Sequence, residues 1–443
     1  MADKLYWLKL TLNIKTMIKL KKLNRFLANL SISVLVILTL SFFLIPVSSK
    51  LQESPILAVF EEVWQTVNDN FFDPKFNGVD WKAMREKYKP SVKQAKSIDE
   101  ASVVINQMLA ELHTSHIGFY PKSQPAYYQL LGIFNQGHFL EKIQKLFPKG
   151  LEYTGIGAFT KEIDGKTFIT AILDNSSAAQ AGLKVGDQIL AVDGNPYQPI
   201  ESFVNKAGKQ VSISIQRTPD SNSNKNVTVV PKIIKPTTVF LDAMRSSIEI
   251  IESNGRKLGY VHIWSYAGDK YQDLLEEEIA YGRLKDADGL ILDLRDGWGG
   301  ATPNYLSIFS EKVPVLTQIP RDGIKTTLDY QWRKPVVMLV NKGTRSGKEI
   351  LAYGFEQYGI GKVVGSQTAG AVVAARPFLL KDGNLLYLAV VDIYVNGERL
   401  EGKGVKPDIE VPFQLEYAQG SDPQKAKALE VLAEAVKNQN RGA

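Results

Sequence analysis

Residues 335–350 read PVVMLVNKGTRSGKEI, so an apolar run, a tight turn and the start of a helix follow one another directly. A short apolar run bounded by turn residues is typical of a strand that is buried on both faces. Similar patterns predict strands at 259–263, 289–294, 362–365 and 386–394, and helices at 269–284 and 346–358. This alternation predicts a mixed α/β core with a largely parallel sheet.

Ser346 ends the turn and begins the predicted helix. A hydroxyl on such a turn can act as a nucleophile, and the free amides of the first helical turn can stabilise an oxyanion. The alternative is an ordinary N-cap, because Glu349 stands three residues later as in a capping box, and the local pattern alone favours this alternative. The glycine-rich turn at 296–300 is a second source of backbone amides, although such a turn also commonly just links a strand to a helix.

A serine nucleophile needs a base, and the chain has four histidines. His262 lies in an alternating strand pattern and is interpreted as a packing residue. His113 and His116 follow the end of a predicted helix with a capping box at its start, where a loop can reach a cleft. Spacing alone does not choose between these two.

The chain divides into five predicted parts: a signal or membrane anchor at 1–49, an N-terminal helical cap at 50–150, a β-rich module at 151–235, the α/β core at 236–420 and a C-terminal helix at 421–443. Within the cap, residues 117–150 lack clear periodicity and are predicted to be loop and short helix covering a cleft.

Charge is concentrated at the N-terminus, where residues 1–49 hold seven basic side chains and one acidic side chain. The apolar run 26–47 is long enough to cross a bilayer, and its basic flank predicts a cytoplasmic N-terminus with the rest of the chain exported. The sequence leaves open whether this segment is cleaved. The remainder has 46 basic and 46 acidic residues, so a basic surface for nucleic acid is not expected. The chain has no cysteine, which excludes disulfides and thiolate chemistry.

Six collinear motifs resemble those of the tail-specific, or C-terminal processing, serine peptidases and their tricorn-like relatives. They lie at 63–81, 111–116, 178–187, 292–300, 341–346 and 401–408, within a resemblance that covers about residues 55–412. The resemblance implies a helical cap, a PDZ-like module and a crotonase-like or Clp-like ββα core. It also implies peptide hydrolysis without a metal or an organic cofactor.

The Ser–Lys branch of that family has its lysine in a Thr-Phe-Gly-Lys motif, whereas this chain has Thr368-Ala369-Gly370-Ala371. Ala371 therefore occupies the position of the lysine. Lys348 is not expected to replace it, because residues two apart on a helix point in different directions. The motif resembles instead the tricorn-like branch, which uses a Ser, His, Ser and Glu tetrad.

By this resemblance the tetrad consists of Ser346 as nucleophile, His116 as base, Ser115 and Glu401. The amides of Gly299 and Gly347 would form the oxyanion hole. Two simpler interpretations stay open: Glu401 as a solvated loop carboxylate near Glu398, and Ser115 as a helix-end hydroxyl.

Residues Gly155, Ile156, Gly157 and Ala158 resemble the carboxylate-binding loop of PDZ domains. The implied partners are polypeptides with free C-termini, in a periplasm, cell envelope or organelle lumen. A rival hypothesis is a catalytically inactive ligand-binding protein or PDZ adaptor on the same fold.

Overall fold

The computed structural model describes residues 54–310, 316–319, 321, 324–329 and 331–439. The predicted signal or anchor at 1–49 lies outside these residues. Within the described ranges, no helix combines the length and the apolar character that crossing a bilayer requires.

The described residues form eleven α-helices: α1 Pro55–Asn70, α2 Trp81–Gln94, α3 Ile98–Ala110, α4 Pro125–Ile133, α5 Gly137–Leu146, α6 Ser177–Gln180, α7 Val239–Ser247, α8 Lys270–Ala280, α9 Ser307–Ser310, α10 Gly347–Gln357 and α11 Pro423–Gln439. The same ranges contain eighteen strands: β1 Gly118–Tyr120, β2 Tyr153–Gly155, β3 Ala158–Ile163, β4 Lys166–Ile172, β5 Gln188–Val192, β6 Val211–Gln216, β7 Asn224–Val229, β8 Lys232–Ile234, β9 Glu249–Ser253, β10 Arg256–His262, β11 Gly289–Asp293, β12 Leu316–Gln318, β13 Thr326–Leu328, β14 Val336–Val340, β15 Lys362–Gly365, β16 Ala374–Leu379, β17 Leu385–Val391 and β18 Ile409–Glu410.

The core is a six-stranded sheet in the order β18-β15-β14-β11-β10-β9, parallel except for β9 at one edge. Every residue of β11 and β14 is buried, as expected for strands covered on both faces. Helix α11 packs on one face, and α7, α8 and α10 lie on the other. The predicted α/β class with a largely parallel sheet is confirmed.

The predicted strand at 386–394 is found, as β17, but it does not join the parallel sheet. It forms a separate antiparallel sheet in the order β1-β17-β16. Leu386 and Leu388 of β17 pack against apolar side chains of the helices α1 and α3, including Phe60 and Met108. A strand contributed by the core is thus buried under the cap, and this shared hydrophobic cluster holds the two regions together.

The segment 151–235 forms a five-stranded antiparallel sheet in the order β3-β4-β5-β6-β7, with β2 and β8 paired beside it. Its own hydrophobic cluster includes Ile169, Phe203 and Ile213. Phe159 and Trp264 stack at 5.9 Å, which joins this module to the core. The module is therefore docked next to the end of β10.

Candidate active site

Strands β10, β11 and β14 run parallel, so their carboxyl ends meet at one edge of the core sheet. Open α/β sheets typically bind ligands at this edge. The turn that follows β11 contains Gly299, and the turn that follows β14 ends at Ser346. The two turns predicted to supply amides and a nucleophile therefore lie side by side.

Ser346 adopts φ 59° and ψ −133°, a conformation that is rare for a residue other than glycine. Such a conformation costs about 1–3 kcal/mol and persists only where surrounding contacts hold it. Here the Ser346 N–H donates to Ala371 O at 2.7 Å and to Glu349 Oε2 at 3.2 Å. The strained turn presents a half-buried hydroxyl at the start of α10.

Glu349 does more than complete a capping box. It is fully buried and also accepts hydrogen bonds from Thr368 Oγ1 at 2.5 Å and from the amides of Gly370 and Ala371 at 2.7 Å each. Burial raises the pKa of Glu349, although these donors oppose the rise. The carboxyl group thus ties the Ser346 turn to the 368–371 loop, a long-range contact that the capping pattern did not predict.

Gly299 and Gly347 allow two backbone segments to approach Ser346 closely. A Cβ on Gly299 would lie 2.4 Å from Ser346 Cβ and 3.1 Å from its Oγ, and one on Gly347 would lie 2.3 Å from Ala301 O. Neither of their amides donates to an acceptor among the described residues. The predicted oxyanion donors are thus two unpaired N–H groups next to the hydroxyl.

His116 is connected to Glu401 through Ser115. The Ser115 Oγ lies 2.9 Å from His116 Nδ1 and 2.9 Å from Glu401 Oε2. A hydroxyl has one proton, so when Ser115 donates to the carboxylate, its oxygen accepts the proton of His116 Nδ1. This arrangement leaves the His116 Nε2 lone pair as the available base.

Glu401 is a buried hydrogen-bond acceptor, 6% exposed, and the solvated-carboxylate interpretation is wrong. Its oxygens accept the amide protons of Ser115 at 2.7 Å, Val372 at 2.7 Å and Val373 at 3.2 Å, and the Thr114 hydroxyl at 3.2 Å. Burial raises the pKa of Glu401, but these donors outweigh it and the pKa is lowered overall. Glu401 therefore stays charged at neutral pH.

The pKa of His116 is lowered to about 4, because burial and the positive charge of Arg345 together outweigh the opposing effect of Glu401. The imidazole is consequently neutral at pH 7, as a general base must be. His113, by contrast, is exposed, and His262 stacks on Trp264 at 3.8 Å inside the core. Among these three histidines, His116 is the one connected to a buried carboxylate through Ser115, and His262 packs in the core as predicted.

His116 and Ser346 line the same cavity, which has a volume of about 760 Å³. Its walls come from the 117–150 part of the cap, the turn at 298–300 and β16. Trp298 Nε1 donates to Gln129 Oε1 at 3.0 Å and joins the glycine-rich turn to α4 of the cap. Residues 117–150, predicted as a cleft cover, therefore form one wall of the cavity.

Models of known protein families match three separate regions of the chain, in the cap, the β-rich module and the core. The model of peptidase family S41 matches residues 257–411, that of the tricorn protease C1 domain matches 56–110, and that of a PDZ domain matches 168–217. Residues 257–411, which include most of the core sheet, thus resemble peptidase family S41. This match supports a serine-type peptidase, and the predicted PDZ module is confirmed.

Two relatives of this chain differ greatly in length. It is 25% identical over 393 residues to tricorn protease homolog 1 of Streptomyces coelicolor, covering 85% of this chain and 35% of that protein. It is 27% identical over 393 residues to the carboxyl-terminal-processing protease of a Synechocystis species, covering 84% of this chain and 86% of that protein. The chain thus spans about a third of the tricorn homologue. The crystal structure of the tricorn protease shares the fold at 19% identity, with a TM-score of 0.50 over 87% of this chain and 37% of that one.

Lys348 of the S41 core is fully buried and does not line the cavity. Its Nζ donates to Asp296 O at 2.9 Å, at the start of the glycine-rich turn. Burial lowers its pKa to about 7. Lys348 thus holds that turn against α10, a positioning contact that the sequence analysis missed.

A second cavity of about 260 Å³ lies between the PDZ module and α7. Gly155, Ile156 and Gly157 line it, while Ala158 is the first residue of β3. The assignment of these four residues to peptide binding stays a prediction. Among the residues with described coordinates, no cluster of three or more His, Asp or Glu side chains could hold a metal ion.

Proposed function

We propose that this S41 peptidase cleaves peptide bonds by a Ser–His mechanism, with Ser346 as nucleophile and His116 as base. The observation that carries the proposal is the hydrogen-bonded connection from His116 Nδ1 through Ser115 Oγ to Glu401, at the wall of the cavity that also contains Ser346. This connection keeps the Nδ1 proton in place and orients Nε2.

In the first step, Ser346 Oγ attacks the scissile carbonyl carbon while its proton passes to His116 Nε2. The carbonyl oxygen becomes an oxyanion, which the unpaired amides of Gly299 and Gly347 would stabilise. The Glu401 carboxylate offsets the positive charge that develops on the imidazole.

The tetrahedral intermediate then collapses as the C–N bond breaks. His116 Nε2 gives its proton to the leaving amine, and an ester between Ser346 Oγ and the substrate acyl group is left. Water enters, gives a proton to His116 and attacks the ester carbonyl. Return of that proton to Ser346 Oγ restores the enzyme and releases the acid product.

We propose unfolded and C-terminal segments of proteins as the substrates. The active-site cavity has the size of a site for a few side chains, so a folded protein would need to present an extended segment. The PDZ cavity lined by Gly155, Ile156 and Gly157 supports binding of a free C-terminus. A relative named as a carboxyl-terminal-processing protease, matched over 86% of its length, supports the same substrate class.

We propose further that the chain acts outside the cytoplasm, held at a membrane by residues 26–47 or released after cleavage. The support is the basic flank and apolar run of the sequence. Protease digestion of intact and opened cells that express the full chain tests this, since a cytoplasmic location predicts protection until the cells are opened.

The catalytic proposal is tested by incubating the full chain with a reduced, unfolded protein and identifying the fragments by mass spectrometry. We expect cleavage by the wild type and none by Ser346→Ala or His116→Ala. A fluorophosphonate should label Ser346 in the wild type alone. Cleavage that survives Ser346→Ala would assign the reaction to another nucleophile. Tail binding without cleavage by the wild type would favour the adaptor alternative.

A further inference from the structure

Arg345 immediately precedes Ser346 and lines the same cavity. Its Nε is buried and has no hydrogen-bond partner among the described residues. A buried donor without an acceptor is rare in folded proteins, particularly on a charged group, and often marks a place that a ligand fills. The unpaired donor therefore lies one residue from the proposed nucleophile.

The cavity around Arg345 is electropositive. Its lining includes Lys142, Arg345 and Arg376, and no described residue of the lining is acidic. The remaining wall is mostly apolar or aromatic: the Tyr387 ring lies near His116, and the Phe134 ring packs against Tyr387. A wall of this composition screens the positive charges poorly and attracts a negatively charged group.

The two arginines of the cavity differ in their contacts. Arg376 Nη2 donates to Asn70 Oδ1 at 2.9 Å, and its guanidinium lies 4.5 Å from the ring centroid of Phe378. The Arg345 guanidinium lies 5.8 Å from the Trp298 ring centroid, and no side-chain acceptor pairs with it among the described residues. Trp298 thus supports a flat cation whose donors are available to a ligand.

We propose that Arg345 binds a carboxylate of the substrate next to the scissile bond, so that the enzyme prefers acidic sites of cleavage. This inference rests on the proposed peptidase function. The carboxylate could belong to an Asp or Glu side chain or to the terminus of a short substrate, and both sources offer the same two oxygens to the guanidinium.

Such a contact would also assist the base. The charge of Arg345 is one of the causes that keep the pKa of His116 low, and Glu401 is the charge that opposes it. Among the described residues, the Ser115 hydroxyl and the Tyr387 ring, whose centroid is 5.8 Å away, also contact the imidazole. A carboxylate on Arg345 would offset its charge, so that His116 becomes a stronger base when an acidic substrate is bound.

The test compares peptide pairs in which Asp is exchanged for Asn on either side of a bond that the wild type cleaves in an unfolded protein. A further pair differs only in a free or amidated C-terminus. We expect kcat/KM to favour the acidic member of one pair by about 10- to 100-fold, as for a hydrogen bond between charged groups. The pair that responds identifies the source of the carboxylate.

Variants locate the contact. Arg345→Gln should bring the ratio of kcat/KM between the acidic and the neutral peptide of a pair close to one. Arg345→Lys should restore part of the preference for the acidic peptide. Arg376→Gln is the matched control, because Arg376 lines the same cavity but is held by Asn70, and it should lower the ratio much less. Thermal unfolding of each variant checks that it is folded.

Two results would overturn the inference while leaving peptidase function intact. The first is a kcat/KM ratio near one in every peptide pair during Ser346-dependent cleavage. The second is an equal loss of the preference for the acidic peptide in Arg345→Gln and Arg376→Gln. If the wild type cleaves none of the peptides, the proposed function fails instead. Fluorescence anisotropy of the same pairs on Ser346→Ala then tests Arg345 alone, since tighter binding of the acidic peptide supports the contact and equal binding rejects it.

Discussion

The two sides of the proposed active site are built in different ways. On the nucleophile side, β14, the turn and Ser346 follow one another within a few residues of chain. On the proposed base side, His116 comes from the cap, and Glu401, which is connected to it through Ser115, is 286 residues farther along the chain than Ser115. One half is local in sequence, and the other exists only after the cap and the core have packed together.

The contrast explains how stability and activity are connected in this chain. The base side depends on the cluster that places β17 under α1 and α3. Local folding of the core alone would form the Ser346 turn without its base. Substitutions that loosen the interface between the cap and the core should therefore reduce activity before they unfold the core.

The largest expected effect tests whether the two sides act as one unit. We expect Ser346→Ala, His116→Ala and the double variant each to lower kcat by about 10⁶-fold, because once either group is lost the other contributes little. Steady-state kinetics on one peptide substrate measure the effects, and thermal unfolding monitors the fold. Additive losses would mean that the two groups act independently.

A smaller effect is expected at the connection that orients the base. Glu401→Gln should lower kcat by about 10⁴-fold, because it removes the charge that supports the imidazolium and places an amide NH₂ among donors. Ser115→Ala should lower kcat by about 10²-fold. Glu398→Gln is the matched control, because Glu398 is exposed, and it should leave kcat unchanged. Equal rates for Glu401→Gln and Glu398→Gln would contradict the assignment.

The pH dependence of kcat/KM tests whether His116 acts as a neutral base. Because the pKa of His116 is about 4, kcat/KM should rise with pH through that value and stay level toward neutral pH. Glu401→Gln should move this limb to lower pH, since the carboxylate raises the pKa. The folded pKa of His116 lies below the unfolded value near 6.5, so its contribution to folding stability is present above pH 6.5 and is lost as the pH falls toward 4. Titration of His116 by NMR measures the value, and a pKa near 6.5 would contradict the buried, neutral imidazole.

The smallest expected effect concerns Lys348, whose Nζ holds the glycine-rich turn against α10. The folded pKa of Lys348, about 7, lies below its unfolded value of 10.5, so folding stability should rise as pH increases from about 7 to about 10. Lys348→Met should lack this rise and should lose about 1–3 kcal/mol at pH 10 through the unpaired Asp296 O. Urea unfolding of both proteins at pH 7 and pH 10 makes the comparison. A pH-independent difference between them would mean that Lys348 does not titrate in this interval.

Sequence patterns predicted the local parts of the fold well, because each depends on neighbours along the chain. The strand Lys362–Gly365 has the predicted bounds, and the core strands around it differ by a few residues at most. The same reasoning placed β17 in the wrong sheet, because an alternating or apolar run shows that a strand exists but does not identify its partner. Residues 117–150 contain two helices, α4 and α5, that the weak periodicity did not separate.

For the candidate site, the sequence pattern of a strand, a tight turn and a helix start indicated Ser346. The run of glycines after a predicted strand indicated the second turn. The choice of His116 and the role of Glu401 required a family resemblance, since spacing left His113 and His116 equal. Arg345 and Lys348 gave no sequence signal of their own. Their importance comes from burial, which brings one beside the cavity and the other beneath the turn.

By itself, the sequence determined the alternation of strands and helices, the tight turn that ends at Ser346 and the absence of thiol chemistry, because these follow from short-range sterics and composition. Only the tertiary structure decided which imidazole is held by a buried carboxylate and which cation is left without a partner. Those properties depend on burial and on contacts across nearly three hundred residues, which no local pattern of side chains contains.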